Sequence, residues 1–151
     1  MKSYRAVFLV VVLSKLSLAS PFSGLVDFKG ASFPGVANKS KVLIVFWATW
    51  CQDCRSKLRK ELPELDKTAD TAVVTINTDT DASRATDFIT KQGIMLPVLR
   101  DSSGEVRKEL KIFSVPHWMV YTRSSTAGNW KLVNSEPAFD WTAVMKALGK
   151  S

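Results

Sequence analysis

"FWATWCQDCRSKL", Phe46 to Leu58, holds both cysteines of a 151-residue chain, Cys51 and Cys54, with two residues between them. Just before it, "KVLIVFWA" (Lys41 to Ala48) reads as a continuous apolar run rich in β-branched residues. Such a run fits a central strand buried on both faces. Helix-forming residues follow from about Asp53 to Lys67, where Leu58, Leu62 and Leu65 recur at spacings of four and three and make one apolar stripe. The cysteines therefore fall where a strand ends and a helix begins. Unpaired N–H groups and the positive end of the helix dipole stabilise a thiolate there, lowering its pKa below the free value of about 8.5. A thiolate attacks disulfides, and a second thiol one turn along the same face can resolve the mixed disulfide. Cys51 is assigned as the attacking thiol and Cys54 as the resolving one.

Other uses of two close cysteines fit less well. Structural zinc usually needs four ligands, and the chain offers two cysteines and one histidine. A purely structural disulfide would span more chain, because closing so short a loop constrains the unfolded state little. At this length one domain buries a core without disulfide staples. Redox chemistry remains, with the cysteine pair itself carrying both electrons and no nicotinamide, flavin or metal cofactor required.

The first residues, "MKSYRAVFLVVVLSKLSLAS", read as a secretory signal. Lys2 and Arg5 form its positive start, Ala6 to Leu13 its apolar run, and Ser17-Leu18-Ala19 its cleavage site. Residues 1–19 are thus a signal peptide and 20–151 the mature domain; if the signal is uncleaved, it is a membrane anchor. The expected location is outside the cytoplasm, the periplasm above all, where disulfide chemistry takes place. Three bases lie in that segment, so the remainder carries +4 instead of the +7 of the whole chain. With no long basic run, nucleic-acid binding has little support.

Further along, "LVDF" reads as a short first strand, "AVVTIN" (Ala72 to Asn77) as another, and Asp81 to Gln92 as a helix capped by Asp81 and ended by Gly93. "MLPVLR" is a short strand, "DSSG" a turn, and Glu105 to Lys111 a helix. "HWMVYTR" and "WKLVN" predict an antiparallel hairpin, and "DWTAVMKALG" a closing helix capped by Asp140. Strands alternating with helices, then a hairpin and a helix, define an α/β fold with a mixed central sheet flanked by helices.

"FWATWCQDCR", preceded by "KVLIV" and "VDFKG" and followed at a distance by "VPHWMVY", resembles the thioredoxin-fold proteins, and most of all their exported TlpA/ResA-like thiol–disulfide oxidoreductases. The resemblance runs from about Leu25 to Leu148. It implies a thioredoxin-like fold, a protein disulfide as substrate and a dithiol electron donor, soluble or membrane-bound, for recycling; a monomer is expected. It also implies a cis peptide before Pro116, with Pro116 and Val115 contacting substrate backbone, and Trp50 shaping the docking surface. The chain departs from the family pattern in three places. Asp53 replaces the usual proline of the motif and opposes thiolate formation, which leans the pair towards reduction. Val45 and Lys57 stand where relatives carry acids, so the usual proton acceptor for Cys54 is missing. The proline that kinks the helix a turn after the second cysteine is absent, and Pro63 comes later.

Three neighbours are weighed as modulators. Asp53 acts as above. Lys57 either lowers a cysteine pKa or belongs to a solvated face with Arg55, Arg59 and Lys60. His117 is either a satisfied strand residue or, following Pro116, a proton relay or metal ligand. Two alternative functions follow: a disulfide oxidase or isomerase on the same fold, and a copper-binding or copper-delivery module using Cys51, Cys54 and His117, since thiolates suit Cu(I). Copper chaperones of this fold carry one more residue between the cysteines.

Overall fold

The computed structural model describes residues 22, 24–32, 36, 38–125 and 129–150. The signal segment lies outside the described residues. Among them, no helix is long and apolar enough to cross a membrane.

A five-stranded mixed sheet organises the chain, in the order β3-β2-β1-β4-β5. Strand β1 (Lys41–Trp47) is central. It runs parallel to β2 (Thr71–Asn77), which runs parallel to β3 (Val98–Arg100). On its other side β1 pairs antiparallel with β4 (His117–Thr122), which pairs with β5 (Lys131–Pro137). Proline ends β5, an edge strand, where its missing N–H costs no ladder bond. At the opposite edge, "LVDF" forms bridges instead of a strand: Val26 meets Ser32 and Asp27 meets Leu99.

Alternation along β1 divides the core in two. Leu43, Val45 and Trp47 face one side, with Trp118 and Val120 of β4. Val42, Ile44 and Phe46 face the other, with Met119. The first side is covered by α1 (Gln52–Arg59), α2 (Glu61–Asp66) and α5 (Trp141–Ala147), and Phe88 and Ile89 of α3 (Ala82–Gln92) pack against it. The second is covered by Val106 of α4 (Glu105–Glu109), Ile112, Phe22 and Leu25.

The single helix expected from Asp53 to Lys67 is two. It breaks at Lys60, which leaves helical geometry at φ −116° and ψ −67°. Pro63 explains the break: it has no N–H for the carbonyl of Arg59, four residues back, and its ring crowds that carbonyl. Pro63 falls in the first turn of α2, where an N–H would lack an intrahelical partner in any case. Other helix boundaries follow their capping residues. Asp81 accepts from the N–H groups of Ser83 and Arg84, Asp140 from those of Thr142 and Ala143, and Gly93 closes α3 in the left-handed region at φ 61°.

Candidate active site

Cys51 is the N-cap of α1, in extended geometry, and its sulfur accepts from the N–H of Cys54 at 3.2 Å. The two are joined in a disulfide, with Cα atoms 5.3 Å apart. Cys51 is 6% exposed and Cys54 1%. Cys51, at the cap, is therefore the more accessible of the two residues, and its sulfur meets the first N–H groups of the helix.

The loop that presents Cys51 is held from beneath by buried polar groups. The backbone N–H and hydroxyl of Thr49 donate to the two carboxylate oxygens of Asp79, at 2.8 and 3.0 Å. The Asn77 amide donates to the same carboxylate at 2.7 Å. Thr78 donates twice to the carbonyl of Trp47, from N–H and hydroxyl. From α1, Arg55 Nε donates to the carbonyl of Thr49 at 2.7 Å. Asn77, Thr78 and Asp79 lie at and just past the carboxyl end of β2, the parallel neighbour of β1. Sequence reading missed them. The signal was there in Asn77-Thr78-Asp79, a polar cluster ending a buried strand, and ends of parallel strands are where such folds place their sites.

Trp47 and Trp50, three residues apart, part company. Trp47 is fully buried and donates to Thr75 Oγ1 at 3.2 Å. Trp50 is 64% exposed beside the disulfide. It lines a small cleft of about 80 Å³ with Thr78, Arg107, Ile112, Phe113 and Val115. The Val115–Pro116 peptide is cis, as the resemblance implied. Val115 packs against the buried cluster that contains both cysteines. Phe113 is 91% exposed on this rim and was not singled out from the sequence.

His117 is not brought to the sulfurs. It pairs across the sheet with Phe46, so its side chain lies on the face opposite Cys51 and Cys54. Its Nε2 lies 2.9 Å from Ser135 Oγ, and its ring meets that of Phe46 edge-on. Burial holds the imidazole below its ordinary pKa, partly countered by the charge of Glu136. The expectation of a Cys51, Cys54 and His117 copper site, or of a proton relay through His117, is corrected accordingly: one step along an extended strand carries a side chain across the sheet. Among the described residues no cluster of three or more His, Cys, Asp or Glu could hold a metal.

Asp53 is exposed in the first turn of α1. Lys57 is half-buried. Its ammonium pairs with Glu61 at 2.9 Å and lies 5.6 Å from the centre of the Phe139 ring. The second carboxylate oxygen of Glu61 is buried without a hydrogen-bond partner.

A strand–helix junction with a capping cysteine, a buried second cysteine and a cis proline opposite defines a thioredoxin-like redox protein. The Redoxin family model matches residues 26–126, and the chain belongs to that family, among its TlpA/ResA-like thiol–disulfide oxidoreductases. The chain is 26% identical to sporulation thiol-disulfide oxidoreductase A of Bacillus subtilis over 119 residues, 71% of this chain and 70% of the relative. It is 30% identical to thiol-disulfide oxidoreductase ResA of Oceanobacillus iheyensis over 77 residues, half of this chain and 40% of the relative. Among solved structures, the exposed lipoprotein thioredoxin Etrx1 of Streptococcus pneumoniae superposes with a TM-score of 0.66 at 23% identity. It covers 83% of this chain and 96% of its own.

Proposed function

We propose that this thiol–disulfide oxidoreductase acts outside the cytoplasm as a reductant of protein disulfides. The Cys51 thiolate attacks one sulfur of a substrate disulfide, a mixed disulfide forms, and the other substrate sulfur leaves as a thiolate. Cys54, deprotonated, then attacks Cys51 Sγ and releases the second substrate thiolate. Two electrons pass from the cysteine pair to the substrate, whose thiolates take up protons, and the pair ends as the closed disulfide. A dithiol donor, soluble or membrane-held, reopens it. The observation that carries the reading is the position of Cys51: capping α1 beside exposed Trp50, with Cys54 buried one turn on.

Trp50, Val115 and Pro116 form the docking surface in this reading, with Phe113 added to them. Asp53 at the dipole's positive end favours the reducing direction, since a less stabilised thiolate makes a less oxidising disulfide. Export rests on residues 1–19, and Etrx1, which shares the fold, is described as an exposed lipoprotein. The protein works as a monomer. The test is a pair of variants. Cys51→Ala abolishes reduction of insulin disulfides, and Cys54→Ala accumulates mixed disulfides; turnover at the wild-type rate in both ends the proposal. Direction is settled by the reduction potential. A value near about −270 mV fits a reductant, and one near about −120 mV fits an oxidase.

A further inference from the structure

Trp50 is a wall shared by two depressions. On one side lies the small cleft with Phe113 and Val115. On the other, α1 and α3 leave a groove of about 550 Å³ walled by Trp50, Arg55, Arg84, Asp87, Phe88 and Lys91. Arg59 stands at its end, donating to the side-chain carbonyl of Gln92 at 3.2 Å. The groove is thus lined by cations at the doorstep of Cys51. The carboxylate that lines it is Asp87, which meets Lys91 at 3.8 Å; Asp81, outside the lining, is occupied in capping α3. Among the described residues no carboxylate comes within ion-pairing distance of Arg55 or Arg59, while Arg84 interacts with the Asp81 carboxylate at longer range. Arg55 is held in place, by its bond to Thr49 O and by the Phe88 ring, whose centre lies 5.6 Å from its guanidinium carbon.

A guanidinium held in position without a carboxylate partner, as that of Arg55 is, forms strong, often bidentate hydrogen bonds with an incoming carboxylate, and exposed Arg84 adds charge beside it. We propose that this groove receives an acidic stretch of the polypeptide whose disulfide Cys51 attacks, so that the preferred substrates carry Asp or Glu near the reacting cysteine. The proposal rests on the reductase reading above and adds the class of substrate. Glu or Asp side chains flanking the substrate cysteine meet Arg55 and Arg84, while its apolar neighbours meet Trp50 and Phe113. The surface selects and steers; the sulfur exchange itself is unchanged.

The test uses the full chain, reduced beforehand and freed of reductant, in single turnovers with two synthetic peptides. Each holds one internal disulfide, and the two differ only in flanking residues, Glu in one and Lys in the other. Each turnover closes one protein dithiol and opens one peptide disulfide to two thiols. The acidic peptide should be reduced about tenfold faster at low ionic strength. The advantage should shrink at about 0.5 M salt, where screening is within a few ångströms. In R84E/K91E the preference should vanish or reverse, and in R84K it should persist. Equal rates on both peptides, or a preference that survives R84E/K91E, overturns the groove as a docking site. Failure of the reduced wild type to open either peptide or a neutral aromatic disulfide such as dithiodipyridine overturns the reductase reading instead, and the proposal with it.

Discussion

At the end of the β1–β4 pair the two faces of the sheet are equally buried and chemically unalike. On one, Trp47 and Trp118 pack with both cysteines; on the other, Phe46 packs with His117. Phe46, Trp47 and Trp118 are all fully buried. The difference lies in what surrounds the strand ends. The redox face finishes in a loop held by Asp79, Asn77 and Arg55, and the other in the His117–Ser135 hydrogen bond and the edge-on ring contact of His117 with Phe46. Packing alone therefore does not make a site. The loop must also be fixed by polar bonds that survive burial, because a loop free to move would not hold a sulfur at a helix cap.

The comparison breaks first at Asp79. Replacing it with alanine leaves the Thr49 N–H, the Thr49 hydroxyl and an Asn77 N–H without their buried acceptor. Each orphaned donor costs about 1–3 kcal/mol, less where water enters. We expect Asp79→Ala to lose about 3 kcal/mol of stability in urea unfolding of the oxidised protein. In the reduced protein, the pH profile of Cys51 alkylation should move upward, as the sulfur drifts from the helix cap. A loss below about 0.5 kcal/mol would mean that the polar cage is not what distinguishes the redox face.

Legibility followed the same division. The strand, the cysteines and the helix that follows could be read directly, because a run of β-branched residues and a CxxC are local signals. Asp81, Asp140 and Gly93 announced their helix ends for the same reason. Facing was harder. His117 follows Pro116 and looked close to the sulfurs, yet register with Phe46 turns it away. Register depends on strand pairing, which no local window contains. The break at Lys60 was half legible: Pro63 was noticed, but its effect falls one turn earlier than the proline itself. Asp79 went unread because its role depends on Thr49, thirty residues earlier, and only the parallel pairing of β1 with β2 brings them together.

His117 sharpens the comparison from the other side. Its folded pKa lies below the ordinary 6.5, chiefly through burial. The unfolded chain therefore binds a proton more readily, so the stability of the neutral, buried state is present above about pH 6.5 and lost as pH falls through the folded value. The slope cannot exceed about 1.4 kcal/mol per pH unit for one proton. We expect the wild type to lose stability with that signature in the acid range and His117→Gln to flatten it. Alkylation of reduced Cys51 should keep the same pH profile in both proteins. A shifted thiol profile in His117→Gln would mean that the imidazole reaches the sulfurs electrostatically, and the separation of the faces would fail.

The smallest effect concerns the turn that links the two faces. After α4, which covers the His117 side, Lys111 takes a left-handed conformation at φ 56°. The N–H of Ile112 reaches back to the carbonyl of Arg107 at 2.8 Å, and that of Lys111 to Lys108 at 3.2 Å. This is a helix C-terminus of the kind that glycine usually completes. A lysine there carries a Cβ against the following carbonyl, which costs about 1 kcal/mol, partly offset in glycine by greater freedom of the unfolded chain. Two residues on, the chain holds Phe113 at the rim beside Trp50. Lys111→Gly should therefore raise stability by about 0.5 kcal/mol in urea unfolding and leave the reduction rate unchanged, since the turn keeps its shape. A stabilised variant that reduces peptides more slowly would show that the strain at Lys111 helps to aim Phe113, and would couple the two faces through this turn.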